Sequence, residues 1–292
     1  MISDTEISVR IHGPADAPTL VYLPGMHGDW TLVASFRERI LPKVRFVELS
    51  YPRTTSWNLA DYADAIDAAL AVNGMTNAWL LAESWGSQPA WLLADRSRLR
   101  EEAELTVSGE ESASSRRRLQ GGFQVTGLIL AGGFVRHPWP WAVGMTQRRG
   151  ATMAMSRLKR FLKLYPHYAR FRLRHAPETL AEMPEFLARR TDADRLAAVH
   201  RLRLIRENDL RPQARTATLP VHYLTGAIDP VVPWPWVKRW LVKHCPGYRG
   251  SRILWAADHN VLNSRGAAEQ VLEWMRGASA PLGCRDREGL RF

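Results

Sequence analysis

The chain has 292 residues, 46% of them apolar, with 40 Lys or Arg against 29 Asp or Glu and a net charge of +11. That length and composition indicate a globular chain with a substantial core and exclude a disordered one. No apolar run approaches the roughly 18 residues of a membrane-spanning helix, and Cys245 and Cys284 show no metal-binding spacing.

The opening Met1-Ile2-Ser3-Asp4-Thr5-Glu6 has neither a basic start nor an apolar segment, so no signal peptide and a reducing, cytoplasmic setting are expected. From Glu6 to Ile11, Ile7, Val9 and Ile11 alternate with polar residues, the period of a strand. Thr19 to Leu23 reads as a buried strand, and Pro24-Gly25-Met26-His27-Gly28-Asp29 is too rich in turn residues to continue it. A helix over 31–41 and a strand over 44–49 follow. Leu59, Tyr62, Ala63, Ile66, Ala69 and Leu70 then mark one stripe of a helix that Asn73-Gly74 ends. Next comes the apolar run Ala78 to Ala82, then Glu83-Ser84-Trp85-Gly86, then a second apolar run from Ala90 with helical character. Strands alternating with helices imply a mostly parallel sheet covered on both faces. Ligands then bind beyond the carboxyl ends of the strands.

Residues 96–122 are polar and charged and read as a surface insertion within the core. The sheet resumes at Val125 to Leu130. From 137 to 218 the strand pattern gives way to helical pieces, among them an amphipathic stretch from Ser156 to Tyr168 and another from Asp192 to Arg206, punctuated by Pro177, Pro184 and Pro212. This segment reads as a helical cap over the site. Between Arg148 and Arg215 lie 17 Arg or Lys and only 7 Asp or Glu, so nearly all the excess charge belongs to it. A basic segment of this kind is most often a solvated helical face, and it also suits an acidic substrate or weak contact with an anionic membrane; no nucleic-acid partner is expected. A strand over 221–225, a helix over 236–244, a strand over 252–255 and a closing helix over 261–276 complete the chain. The sheet-containing core is therefore expected over 1–136 and 219–278, and 279–292 is a tail without clear structure.

Ser84 sits between small residues, Ala82 two before and Gly86 two after, the pattern of a sharp strand-to-helix elbow that lifts a hydroxyl above a sheet. Asp229 and His259 likewise fall just after strands. A serine hydroxyl needs an imidazole to take its proton, and the imidazole needs a carboxylate to fix its tautomer. Two backbone N–H groups must face the developing oxyanion. Trp85, next to the serine, and Met26, in the glycine-rich loop, stand where they are required. His27 is a weaker candidate for the base, and Glu48 and Asp258 are weaker ones for the acid. Trp139, Trp141, Tyr165 and Trp234, with His27, are candidates for a substrate pocket.

Leu23-Pro24-Gly25-Met26-His27-Gly28, Glu83-Ser84-Trp85-Gly86, Gly226-Ala227-Ile228-Asp229 and Asp258-His259-Asn260 together resemble the α/β-hydrolase superfamily. The resemblance implies a serine hydrolase with an acyl-enzyme intermediate, no cofactor and no metal. It departs from the pattern at Ala82, where glycine is usual, and in the polar insertion. Ser84-Trp85-Gly86-Ser87 is also similar to the elbow of proline iminopeptidases, but their His-Gly-Gly-Pro-Gly loop is absent. A serine nucleophile argues against dehalogenases and epoxide hydrolases, which use aspartate. The expected activity is hydrolysis of a small carboxylic ester with an apolar acyl group. The alternatives are an aminopeptidase or amidase, an acyltransferase, or a non-catalytic binding protein on the same fold.

Overall fold

In a computed structural model, the structure describes residues 6–41, 43–107, 122–154, 157, 160, 170, 173–188 and 190–278. Its strands are β1 (Ser8–His12), β2 (Thr19–Leu23), β3 (Arg45–Ser50), β4 (Asn77–Glu83), β5 (Gln124–Ala131), β6 (Val221–Gly226) and β7 (Tyr248–Leu254). They form one open sheet in the order β1-β3-β2-β4-β5-β6-β7. β1 runs antiparallel to β3, and every other neighbouring pair is parallel. The central strands are apolar throughout because a parallel sheet is buried on both faces.

The helices are α1 (Ala34–Ile40), α2 (Leu59–Val72), α3 (Ser87–Val107), α4 (Pro140–Thr152), α5 (Pro177–Ala188), α6 (Asp192–Glu207), α7 (Arg211–Thr216), α8 (Trp234–His244) and α9 (Ala267–Ala278). Period-two alternation divides the strands between two cores. Val21, Leu23, Leu80, Ala82, Leu128 and Leu130 pack with Tyr62 and Ile66 of α2 and Trp91 of α3. Leu20, Tyr22, Trp79, Leu81 and Ile129 pack on the other face with Phe36 of α1 and Val271 of α9. α2 has the expected span and opens with a reciprocal cap, in which Asn58 accepts from Asp61 N–H and the Asp61 carboxyl accepts from Asn58 N–H.

Several elements differ from the sequence expectation. α1 begins at Ala34 rather than Thr31, because the Asp29 carboxyl accepts from both Thr31 N–H and Thr31 Oγ and holds a turn there. α3 continues to Val107, so the stretch from Arg96 to Val107 is helix, pinned by Arg98 to Asp95 and Glu102 and by Arg100 to Asp67. β7 begins at Tyr248; as a half-exposed edge strand it carries no apolar alternation to mark it. The closing helix is two pieces, a 3-10 turn over Val261–Asn263 and then α9, separated at Gly266, whose φ of 82° a helix does not permit. Pro184 lies inside α5 and not at a boundary. Of the helix expected over 156–168 only Arg157 and Arg160 are described, both helical; the rest of it, residues 108–121 of the polar insertion and the tail lie outside the described residues.

Between β5 and β6 the chain leaves the sheet and forms α4 to α7. α5 is fastened to α1: Ser35 Oγ donates to Glu178 (2.7 Å), Ser35 N–H to Thr179 Oγ1 (3.0 Å), and Arg37 bridges Glu182 (2.9 Å) and the buried Glu48 (3.0 Å). α6 opens on a second reciprocal cap, Thr191 with Asp194, and Asp194 accepts from Arg53 at 2.9 Å. Among the described residues, no helix is long and apolar enough to cross a membrane.

Candidate active site

Ser84 follows β4 directly and is the one non-glycine described residue with a left-handed φ, 48°. Such a conformation costs about 1 kcal/mol or more and persists only where the surroundings enforce it. Here the next turn enforces it. A Cβ on Gly86 would stand 2.4 Å from the Leu23 carbonyl oxygen, so only glycine lets the elbow pass the end of β2. Ser87 Oγ donates to the Ser84 carbonyl (2.7 Å) or the Phe134 carbonyl (2.9 Å) and accepts from Phe134 N–H (3.1 Å), tying the elbow to the loop after β5. At Ala82, the position of the unusual residue, the methyl is fully buried beside Leu80 in the core. The fold has room there that it lacks at Gly86.

The loops after β6 and β7 bring Asp229 and His259 to this serine. Asp229 Oδ1 accepts from Val231 N–H (2.8 Å) and Val232 N–H (3.0 Å), which leaves Oδ2 facing His259 Nδ1 at 2.8 Å. His259 Nε2 lies 2.8 Å from Ser84 Oγ. A carboxylate accepts only, so Nδ1 carries the proton and Nε2 is free to accept from the serine hydroxyl. Burial by itself lowers the imidazole pKa. The hydrogen bond and charge of Asp229, with Glu83 and Asp258 behind them, outweigh it and hold His259 above the ordinary histidine value. A Cβ on Gly226 would stand 2.3 Å from the Ala257 and Asp258 carbonyls, which shows how closely the two loops are pressed together.

Met26 and Trp85 flank the serine. The Gly25 carbonyl accepts from Gly28 N–H at 3.0 Å, so the Met26 N–H of the same planar peptide points away from that turn. Arg201 of α6 secures the loop from behind. It is 2% exposed, donates to the carbonyls of Met26 (3.0 Å) and Pro52 (3.1 Å), and stacks near Tyr51, Tyr62 and Trp85. Gly28, at φ 80°, supplies both the turn and the space for that guanidinium.

Above the serine lies a cavity of about 540 Å³. Its wall is mostly apolar: Phe134, Val143, Met145, Leu202, Ile205 and Val231, with Trp139 and Trp141. Of the pocket candidates, His27, Trp139 and Trp141 line it. Trp234 does not; its indole N–H donates to the Ala227 carbonyl at 3.1 Å and braces the Asp229 loop. Tyr165 lies outside the described residues. Of the weaker acid and base candidates, Glu48 is held by Arg37 and His12, and Asp258 accepts from Asn260 N–H. His27 stands 3.9 Å from Glu83.

No family model matches the chain, and no curated protein matches it. Solved structures do. An enol-lactonase from Burkholderia xenovorans superposes with a TM-score of 0.68 at 16% identity, covering 92% of this chain and 96% of that one. An esterase from Exiguobacterium antarcticum gives 0.66 at 16% identity over 92% and 95%, and a thermophilic esterase from Thermogutta terrifontis gives 0.63 at 16% over 94% of each. The chain has the α/β-hydrolase fold.

Three residues that sequence reasoning did not single out help build this site. Glu83 ends β4 after the apolar run Ala78 to Ala82 and accepts from the Tyr22 hydroxyl; a charge closing an apolar run was its visible signal. Arg201 lies four residues after Ala197 and three before Leu204 on the buried stripe of α6, which is an unusual place for a charge. His137 links the start of α4 to the Asp229 loop: Nδ1 accepts from Trp139 N–H (3.1 Å) and Nε2–H donates to the Val231 carbonyl (3.2 Å). Burial lowers its pKa and keeps it neutral for both bonds.

Proposed function

We propose that the protein is a serine hydrolase of carboxylic esters. The observation that carries this reading is the unbroken hydrogen-bonded chain from Asp229 through His259 to a left-handed Ser84, opening on an apolar cavity. In this reading His259 takes the Ser84 proton as Oγ attacks the acyl carbon, and Asp229 orients the imidazole and stabilises its cation. The N–H groups of Met26 and Trp85 receive the oxyanion. His259 then protonates the leaving alcohol, and water, activated by the same imidazole, releases the acid. The apolar wall suits an apolar acyl group. The likeness to two esterases and an enol-lactonase supports the reaction class.

A fluorophosphonate probe tests the claim. Wild-type protein is expected to label and Ser84→Ala to remain unlabelled. An unlabelled wild type, or labelling that survives the substitution, overturns it. Amide hydrolysis and acyl transfer pass through the same acyl-enzyme; p-nitrophenyl esters of graded length set against aminoacyl anilides separate them.

The same reading includes a partner. Exposed Trp139, Trp141 and Trp236 form one cluster, with ring centroids 6.4 and 6.0 Å apart, at the cavity mouth and beside it. Exposed Arg148 and Arg149 on α4 and Arg239 and Lys243 on α8 flank it. An exposed apolar cluster with cations one to two turns along the same helices suits weak docking on an anionic lipid surface.

A further inference from the structure

Glu83 is anomalous in its setting. The cavity is walled by Phe134, Val143, Leu202 and Ile205, yet this carboxyl lines it as well, with its side chain only 7% exposed. A carboxyl offers roughly four acceptor positions on two oxygens. Oε2 accepts from the Tyr22 hydroxyl. His27 Nε2, itself buried without a hydrogen-bond partner, stands 3.9 Å from the same oxygen, beyond hydrogen-bond reach. Oε1 has no hydrogen-bond partner among the described residues. Oε1 is not sealed off from the cavity, so it is free to accept a hydrogen bond there, and that space is where a substrate must lie.

Its distance from the serine limits what it can meet. The point where a Cβ on Gly25 would sit is 3.3 Å from Ser84 Cβ and 3.6 Å from Glu83 Oε2. The carboxyl is therefore no more than about 7 Å from Ser84 Cβ, the sum of those two distances. An acyl group on Ser84 Oγ places its second and third carbons within that span.

Building on the reading of Ser84 as the acylated nucleophile, we propose that Glu83 is a specificity residue that accepts a hydrogen bond from a hydroxyl or ammonium group on the second or third carbon of the acyl chain. The rest of the chain then lies along the apolar wall. A substrate without the donor leaves the carboxyl unpaired, and a site built to receive a hydrogen bond discriminates strongly against such an analogue.

The experiment compares benzyl hexanoate with its 2-hydroxy, 3-hydroxy and 2-amino forms, on wild type, Glu83→Gln and Glu83→Ala. Wild type is expected to prefer at least one donor-bearing ester by about tenfold or more in kcat/KM, and Glu83→Ala to bring that ratio near one. Glu83→Gln keeps a carbonyl acceptor and loses the charge. It is expected to retain a preference for a hydroxyl and to lose one for an ammonium, which distinguishes the two. Should Glu83→Ala fail to fold, the Gln variant and the wild-type ratios still decide the matter. Competition of pentylboronic and 1-aminopentylboronic acids against fluorophosphonate labelling reads the ammonium arm even where no ester is turned over. A wild type that labels but shows no preference in any pair, or a preference that survives Glu83→Ala, overturns the subsite alone. A wild type that neither labels nor turns over any ester overturns the hydrolase reading and the subsite with it.

Discussion

The behaviour of His259 follows from the atoms it touches. To accept the Ser84 proton it must be neutral, and Asp229 holds its pKa above the ordinary histidine value. On the proposed function the sign is definite: activity is expected to be lost as pH falls through that raised value, so the acid limb of kcat/KM is expected at higher pH than a free histidine would give. Asp229→Asn removes the charge and offers an amide where Nδ1–H needs a carboxylate. The limb is expected to move down and the rate to fall by roughly 10⁴-fold. A pH–rate profile of both proteins checks this, and a wild-type limb at or below the ordinary value counts against it. Ser84, Asp229 and His259 were legible in the sequence because each is placed by a local device, an elbow or a turn just after a strand. Glu83 and Arg201 were not. Their partners, Tyr22 for the first and Met26 and Pro52 for the second, lie 61 to 175 residues away, and no local pattern records such contacts.

Among the elements, β2, α2, β4 and β6 could be read from the chain because burial on both faces, or on one clean stripe, leaves a periodic trace. β7 could not be read fully, since an edge strand half in solvent lacks that trace, and the break before α9 depends on the conformation of a single glycine. Strand β6 also carries an oddity with a measurable consequence. His222 is 7% exposed and stacked between Trp79, at 6.0 Å, and Trp274 of α9, at 4.6 Å. Burial, aided by the charge of Arg249, pushes its pKa down to about 4. Between that value and the ordinary one near 6.5 the unfolded chain binds the proton and the folded chain does not, so stability rises with pH across the window. The contribution is complete above the unfolded value and is lost as pH falls toward 4, by about 3 kcal/mol at the limit. His222→Phe, which keeps the aromatic stack and cannot titrate, is expected to lose less stability between pH 7 and pH 4.5 than wild type. Denaturant midpoints at the two pH values measure the difference; parallel losses in the two proteins would remove His222 from the account.

At the scale of the whole molecule, exposed tryptophans and exposed cations share α4 and α8 beside the cavity. The sequence showed that nearly all of the excess positive charge lies between Arg148 and Arg215. It did not show that Trp141 and Met145 share a stripe of α4 with Arg148 and Arg149, or that Trp236 leads into Arg239 and Lys243 on α8. Helical spacing of i, i+3, i+4 and i+7 aligns each set, and ring contacts through Trp139 join the two helices at the cavity. Two forces then act together on an anionic bilayer. Tryptophan rings favour the headgroup region, and each nearby cation adds on the order of 1 kcal/mol, weakened as salt shortens the Debye length from about 8 Å to about 3 Å at 1 M. Sedimentation is expected to show binding to vesicles containing phosphatidylserine, little binding to phosphatidylcholine alone, and release in high salt. Trp141→Ala with Trp236→Ala is expected to weaken binding at low salt as well, because the apolar share does not depend on charge. Equal binding to both vesicle types, or none, removes the membrane from the account. A concentration-dependent dimer in solution that the two tryptophan substitutions abolish would instead assign the patch to a second copy of the chain. On the membrane proposal, docking through this face holds the mouth of the cavity against the surface that would supply an apolar ester.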